Sequence, residues 1–346
     1  MNLVIEKDLL ESLEKVNLNK LRNKTVLIAG SNGLIGAYII LLLYFANKKQ
    51  NLNIKVIGIS KNEPNELLSA AKDDKNFTFY KKNLAENFEF NEEVNYVIHA
   101  ATYAQPAKFL ENKLETTKLN TVVTEKLLNI CKKNNASFLF LSSSEIYGQA
   151  EEIPTPETYN GNCSTTSIRA SYSESKRLGE TICHVFKEDG VDVKIARVSS
   201  AYGPGISIHD KRVLGNFLNN ALTKKSIDLL EDGKQERTWL YVPDCVAMLL
   251  NILLYGKSFI YNVGGEELVS IKRLAEIICE LTGSKYSLPK KTDGVFMVSA
   301  PDRVKLDISK VMDEFKFRDF VDLKEGLRRT IEWNKEFIKN HNIQVE

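Results

Sequence analysis

In SYSESKRLGE, Tyr172 and Lys176 stand four residues apart, a spacing that sets two side chains on one face of a helix. An ammonium held beside a phenol lowers the phenol's pKa. The result is a base that can accept a hydroxyl proton while hydride leaves for a nicotinamide. Chance supplies YxxxK often, so the weight of the pair comes from its surroundings. Upstream lies LSSSEIYG, residues 141 to 148, where an apolar run ends in three hydroxyls and a carboxylate.

Further upstream, TVLIAGSNGLIGAYII places Gly30, Gly33 and Gly36 between an apolar β-branched run and a long apolar helical run. Glycines at that spacing let the backbone turn tightly, approach a pyrophosphate and pack the helix on the sheet, with the helix N-terminus facing the anion. Ser31, Asn32, Leu34 and Ile35 complete the turn. At the end of the next run, IKVIGISKNEP offers Ser60 and Lys61 where a dinucleotide fold usually presents an acid to the ribose. A lysine without a carboxylate tolerates a 2′-phosphate, so NADP and NAD both remain open.

These groups need a sheet to hold them. Short runs at 25–29, 54–59, 77–80, 94–100, 137–143 and 191–198 alternate with helical patterns, which predicts βαβ units and a parallel sheet covered on both faces. Helices are expected around 114–133 and 172–188. After AYGPG the texture changes to interleaved helices and short strands. The expected organisation is a helical extension over 1–22, a dinucleotide-binding domain over 23–200 and a smaller mixed α/β lobe over 201–346, with some C-terminal segments returning to the first domain.

Composition narrows the class. The 346 residues carry 47 Lys and Arg against 45 Asp and Glu, scattered rather than striped, which speaks against a nucleic-acid surface. Five cysteines without CxxC spacing argue for reduced thiols rather than a disulfide framework or zinc site, and no metal is expected. The longest apolar run, Leu34 to Ala46, is short of the ~20 residues of a membrane span. The N-terminus lacks the pattern of a signal peptide.

Six stretches in one order, GSNGLIG, HAATYAQP, SSSEIYG, YSESK, RVSSAYGPG and DGKQERTWLYVPDCV, resemble the extended short-chain dehydrogenase/reductase family of nucleotide-sugar epimerases, dehydratases and decarboxylases. The resemblance implies a Rossmann-like doubly wound α/β fold, a tightly bound NAD, a UDP-linked sugar substrate, a cytoplasmic setting and a homodimer built on two helix pairs. It places Ser143 with Tyr172 and Lys176 at the reacting oxygen. Asn83, Leu84, Ala100 and Ala101 join the glycine turn at the cofactor.

Ser144 and Glu145 then occupy the positions that choose the step after oxidation. Dehydratases of the family resemble Asp-Glu there; Ser-Glu is similar to UDP-glucuronate decarboxylases, as is the arginine three before the tyrosine, Arg169. Arg169 and Arg303 are candidate cations for anionic substrate groups, Ser200 lines the sugar, and Arg212, Asn216 and Arg237 meet the nucleotide. Surface charge for the arginines and a helix cap for Asn216 are the plainer alternatives. Ser200, Gly205, Phe109 and the register of Arg303 depart from the decarboxylase pattern. A 4,6-dehydratase, C4 epimerase or 4-keto reductase are the neighbouring readings, and a cofactor-sensing protein without chemistry is the alternative of another class. His99, in VIHAA, is read as a satisfied core histidine.

Overall fold

The structure is a computed structural model and describes residues 2–86, 88–289 and 301–345. The six expected runs form strands β1 Thr25–Ala29, β2 Lys55–Ser60, β3 Phe77–Lys81, β4 Tyr96–His99, β5 Ser137–Ser143 and β6 Val193–Val198. With a further strand, Ile260–Val263, they build a seven-stranded sheet in the order Ile260–Val263, β6, β5, β4, β1, β2, β3. Every pairing in it is parallel. This is the Rossmann-like doubly wound α/β arrangement. The order reverses between β1 and β4, and the crevice beyond their carboxyl ends is where such sheets bind ligands.

The helices are α1 Leu3–Lys15, α2 Leu34–Gln50, α3 Pro106–Glu111, α4 Lys113–Asn120, α5 Val122–Asn134, α6 Ala170–Glu188, α7 Val213–Thr223, α8 Val242–Tyr255, α9 Ile271–Thr282, α10 Ser309–Phe315 and α11 Leu323–Asn340. Side chains alternate across a strand, and β1 divides accordingly. Val26 and Ile28 enter a core with α2 and α8, while Leu27 and Ala29 enter another with α5 and α6. A third core joins α7, α9 and α11, beside small sheets in which Glu236–Thr238 pairs with Leu268–Ser270 and Arg303–Val304.

The single helix expected around 114–133 is two. Thr116, Thr117, Thr121 and Thr124 each donate a hydroxyl to the carbonyl four residues back, competition that bends helices. Between α4 and α5, Thr121 leaves helical geometry at φ −121°, ψ −77°. One carbonyl at the break, that of Leu119, instead meets the His99 ring.

Helix α1 lies against α2, α8 and α11. Its buried Asp8 accepts from Arg329 of α11 at 2.8 Å and from the Tyr241 hydroxyl at 2.8 Å. Lys15 donates to buried Asp244 at 2.6 Å. Among the described residues no helix is long and apolar enough to cross a membrane, and no cluster of three or more His, Cys, Asp or Glu could hold a metal ion.

Candidate active site

The glycine turn leaves β1 at Gly30, whose φ of +87° suits glycine. A Cβ there would lie 2.6 Å from Ala100 C and Ala101 N, and a Cβ on Gly36 would lie 2.4 Å from Gly30 O. Backbone therefore packs directly on backbone. Gly33 caps α2 without a side-chain acceptor, which leaves the N–H groups of the first turn for an anion. Turn, bare helix end and switch point together fit a dinucleotide.

The remaining cofactor candidates gather around the ends of β1, β2 and β4. Ser31 is buried against Gly58 with its hydroxyl unpartnered. Asn32 staples the loop after β2, donating to Asn62 O and Glu63 O at 2.9 and 2.7 Å and accepting from Asn65 N. Leu34 and Ile35 open α2 half-buried. Ser60 ends β2, its carbonyl taking Lys82 N. Asn83 accepts from Ala85 N, and Leu84 is buried. Ala100 N pairs with Ala29 O at 2.8 Å, and Ala101 N donates to His99 Nδ1. Lys61 is not free for a phosphate: its ammonium holds Glu115 of α4 at 3.0 Å, which raises its pKa.

Ser143, the last residue of β5, and Tyr172, the third of α6, meet across the sheet edge. The Ser143 hydroxyl accepts from Glu145 N at 3.2 Å and lies near enough to the Tyr172 phenol to lower its pKa. Burial pushes the phenol up to about 12, opposed by Ser143 and the charges of Arg212 and Arg169, while Glu145 adds to the rise. Lys176 is not among the larger influences on it. Its ammonium reaches down to Leu141 O at 2.6 Å and lies 4.5 Å from the Phe140 ring centre. Burial drives its own pKa down to about 7, against the pull of Cys183 and Glu180. The expected phenol–ammonium coupling is thus outweighed by burial and by the strand carbonyl.

Two residues expected to act separately are partners. Ser144 and Glu145 open a short 3-10 helix after β5, and Arg169 is the N-cap of α6. The Arg169 guanidinium forks across the Glu145 carboxylate, Nε to Oε2 at 3.0 Å and Nη2 to Oε1. Phe109 of α3 stands against it, 5.3 Å from ring centre to guanidinium carbon. On its other neighbour the ring stacks with Tyr172, centres 4.9 Å apart and planes at 11°. Carboxylate, guanidinium, phenyl and phenol form one run.

The other substrate candidates fall into different settings. Arg212 caps α7 and pairs with buried Asp210 at 2.6 Å, still close enough to act on Tyr172. Asn216 lies inside α7, exposed, accepting from Asn220 at 3.1 Å; it is not a cap, because the helix begins at Val213. Arg237 holds the carbonyls of Glu236, Asp302 and Pro301 and feels both Glu145 and Arg169, with burial lowering its pKa. Arg303 is half-exposed and paired with Glu236 at 3.0 Å, so its charge is engaged away from the phenol. Ser200 adopts φ +37°, left-handed for a non-glycine. Nearby chain positions bear buried polar atoms without partners, Ser199 Oγ, Thr238 Oγ1 and Trp239 Nε1.

His99 is fully buried, its Nε2 at 2.9 Å from Leu119 O and Nδ1 accepting from Ala101 N. Burial and then the Lys176 charge press its pKa down to about 3, against the pull of the Leu119 bond. Four residues here had no place among the sequence candidates: Phe109 as a stacking partner, and Ser142, Glu180 and Arg197 behind the site. Only Glu180 carried a signal, standing four beyond Lys176 as Lys176 stands four beyond Tyr172.

The NAD dependent epimerase/dehydratase family profile matches residues 26–264. UDP-glucuronic acid decarboxylase 3 of Arabidopsis thaliana is 30% identical over 320 residues, 88% of this chain and 87% of that protein. UDP-glucuronic acid decarboxylase 1 of Xenopus tropicalis is 34% identical over 242 residues, 70% of this chain, and the match spans 57% of its length. Two solved structures share the fold. One is UDP-glucuronic acid 4-epimerase from Bacillus cereus with UDP-glucuronic acid and NAD, at TM-score 0.74 and 21% identity, covering 90% of this chain and 99% of that one. The other is the dTDP-glucose 4,6-dehydratase DesIV from Streptomyces venezuelae, at TM-score 0.77 and 20% identity, covering 91% and 98%.

Proposed function

Since the chain belongs to the NAD dependent epimerase/dehydratase family, we propose that it acts as a UDP-glucuronate decarboxylase, oxidising the sugar at C4, releasing its carboxyl group as carbon dioxide and reducing the ketone again. Relatives bearing that name at 30 and 34% identity support the reading. NAD, when bound, would supply a hydride acceptor for the sugar carbon and the donor that restores it. The Gly30–Gly36 turn, the bare end of α2, and Ser60, Lys61, Asn83, Leu84, Ala100 and Ala101 are the residues that would hold it.

Tyr172 Oη takes the proton of the 4-hydroxyl and later gives it back. Ser143 orients the phenol for that transfer, its hydroxyl being close enough to lower the phenol's pKa. A buried phenol near 12 is almost wholly protonated at neutral pH, so little of the base is present; the influence of Ser143 and the Arg212 and Arg169 charges oppose the burial. The C4 ketone makes the sugar a β-keto acid. Its C5–C6 bond then breaks, the electron pair moves into the C4 carbonyl as an enolate, and carbon dioxide leaves. A proton must next reach C5, a role we assign to Glu145 with Ser144.

The observation that carries the choice is the Arg169–Glu145 fork beside Tyr172. A guanidinium already shaped around a carboxylate can exchange it for the substrate's. Ser144 supplies no acid to protonate a leaving C6 oxygen, which favours decarboxylation over dehydration. Purified protein incubated with UDP-glucuronate, UDP-glucose and dTDP-glucose, followed by mass analysis, tests the proposal. A pentose nucleotide lighter by carbon dioxide is expected; water loss from a hexose nucleotide with UDP-glucuronate intact would replace decarboxylation with dehydration.

A further inference from the structure

Behind the site, Tyr172, Lys176 and Glu180 follow one another at four-residue steps along α6, so all three share the face turned to β5. Glu180 and Arg197 of β6 are both more than nine-tenths buried. They pair twice, Nε to Oε1 at 3.1 Å and Nη2 to Oε2 at 2.7 Å. Oε1 also accepts from the Ser142 hydroxyl at 2.5 Å. Adjacent residues of β5 therefore face one helix two turns apart, Ser143 close enough to lower the pKa of Tyr172 and Ser142 bonded to Glu180.

The remaining Arg197 donor, Nη1, reaches Tyr147 Oη and Glu157 O, each at 2.8 Å. Tyr147 donates in turn to Asn262 Oδ1 at 2.7 Å, and Asn262 Nδ2 holds Thr155 O and Asp307 O at 2.9 and 3.0 Å. Every bond of the chain is buried or nearly so. Burying an ion pair is a poor source of stability, and its attested use is to specify one arrangement among competitors.

We propose that Glu180 and Arg197, through Ser142, are positioning residues that set the separation of Ser143 from Tyr172 and Lys176, and that Tyr147 and Asn262 tie this separation to the segments at 155–157 and 307. Neither residue touches the sugar or the cofactor in this account. Its effect is on alignment, where a shift of about 1 Å costs up to ~100-fold in rate. The inference rests on Ser143, Tyr172 and Lys176 being the reacting set.

The test uses S142A, which removes the tether and keeps the ion pair, and the double variant E180L/R197M, which removes the pair without leaving a lone buried charge. With UDP-glucuronate, kcat should fall about tenfold or more in each, with KM within about twofold. In protein carrying tyrosine 13C-labelled at Cζ, the Tyr172 resonance should move in each, with no substrate needed. A resonance unmoved in both variants, or kcat within about twofold of wild type in both, overturns the proposal, as does a loss carried by KM alone. If the double variant does not fold, S142A alone decides. Y172F separates the two readings: turnover by Y172F defeats the proposed function, whereas a dead Y172F beside a fully active S142A and double variant defeats only the positioning role.

Discussion

Arg169 grips Glu145 through two nitrogens from the first turn of α6, across 24 residues of chain. A substrate carboxylate reaching this guanidinium has to displace the one already there. R169M should therefore raise KM for UDP-glucuronate about 10- to 100-fold, the worth of a charge-assisted bond pair of about 1.5–3 kcal/mol. KM for a neutral hexose nucleotide should hardly move. Equal changes for both sugars would show that Arg169 does not read the carboxylate.

Phe109 shields one face of the Tyr172 ring and stands against Arg169 on the other. F109L removes a stack worth about 1 kcal/mol and admits water to the phenol. The Tyr172 titration, raised to about 12 chiefly by burial, should then fall towards its ordinary value, read from tyrosine Cζ shifts against pH. Turnover should fall as well, because orientation is lost; a rise in turnover would mean that the amount of phenolate alone limits the step.

Lys61 is held by Glu115, with about half of the lysine side chain in solvent. E115Q frees the ammonium to meet a 2′-phosphate. NADP affinity relative to NAD should rise a few-fold by calorimetry, in keeping with the ~0.2–1 kcal/mol of exposed charge pairs, and the gain should shrink with added salt. A ratio unaltered at low salt would remove Lys61 from the ribose end of the site.

His99 titrates near 3 in the folded protein against 6.5 ordinarily. Between those values the unfolded chain binds the additional proton. Stability attributable to this residue is therefore intact above about 6.5 and drains away as pH falls towards 3. In H99Q the urea midpoint should decline less steeply over that window than in wild type. Parallel slopes would mean that the ring is already charged when folded.

Much of this was readable from residue order, for physical reasons. Strands β1, β2, β4 and β5 are buried on both faces, so each reads as a largely apolar run, whereas β6 carries buried Lys194 and Arg197 within its apolar pattern. The glycine turn was legible because its chemistry is local. Ile260–Val263 escaped notice as the seventh strand, since its partner β6 lies some 60 residues earlier. The break at Thr121 depends on hydroxyls choosing helix carbonyls, which apolar periodicity does not register. Lys176 was assigned to the correct helix face, yet its partner is Leu141 O, 35 residues away. The Arg169–Glu145 fork was hidden for a similar reason: each residue had a separate expected partner, and neither pattern says that two charges in one pocket will find each other first.

The contact of Asp8 with Arg329 spans 321 positions. On a ribosome, α1 emerges long before the guanidinium that will satisfy its buried carboxylate, and α2 with Tyr38, 3.4 Å from the same carboxylate in the finished molecule, emerges between them. During synthesis Asp8 must keep its water, because an unpaired carboxylate is not buried without penalty. Helix α1 is thus held off its final seat until α11 arrives.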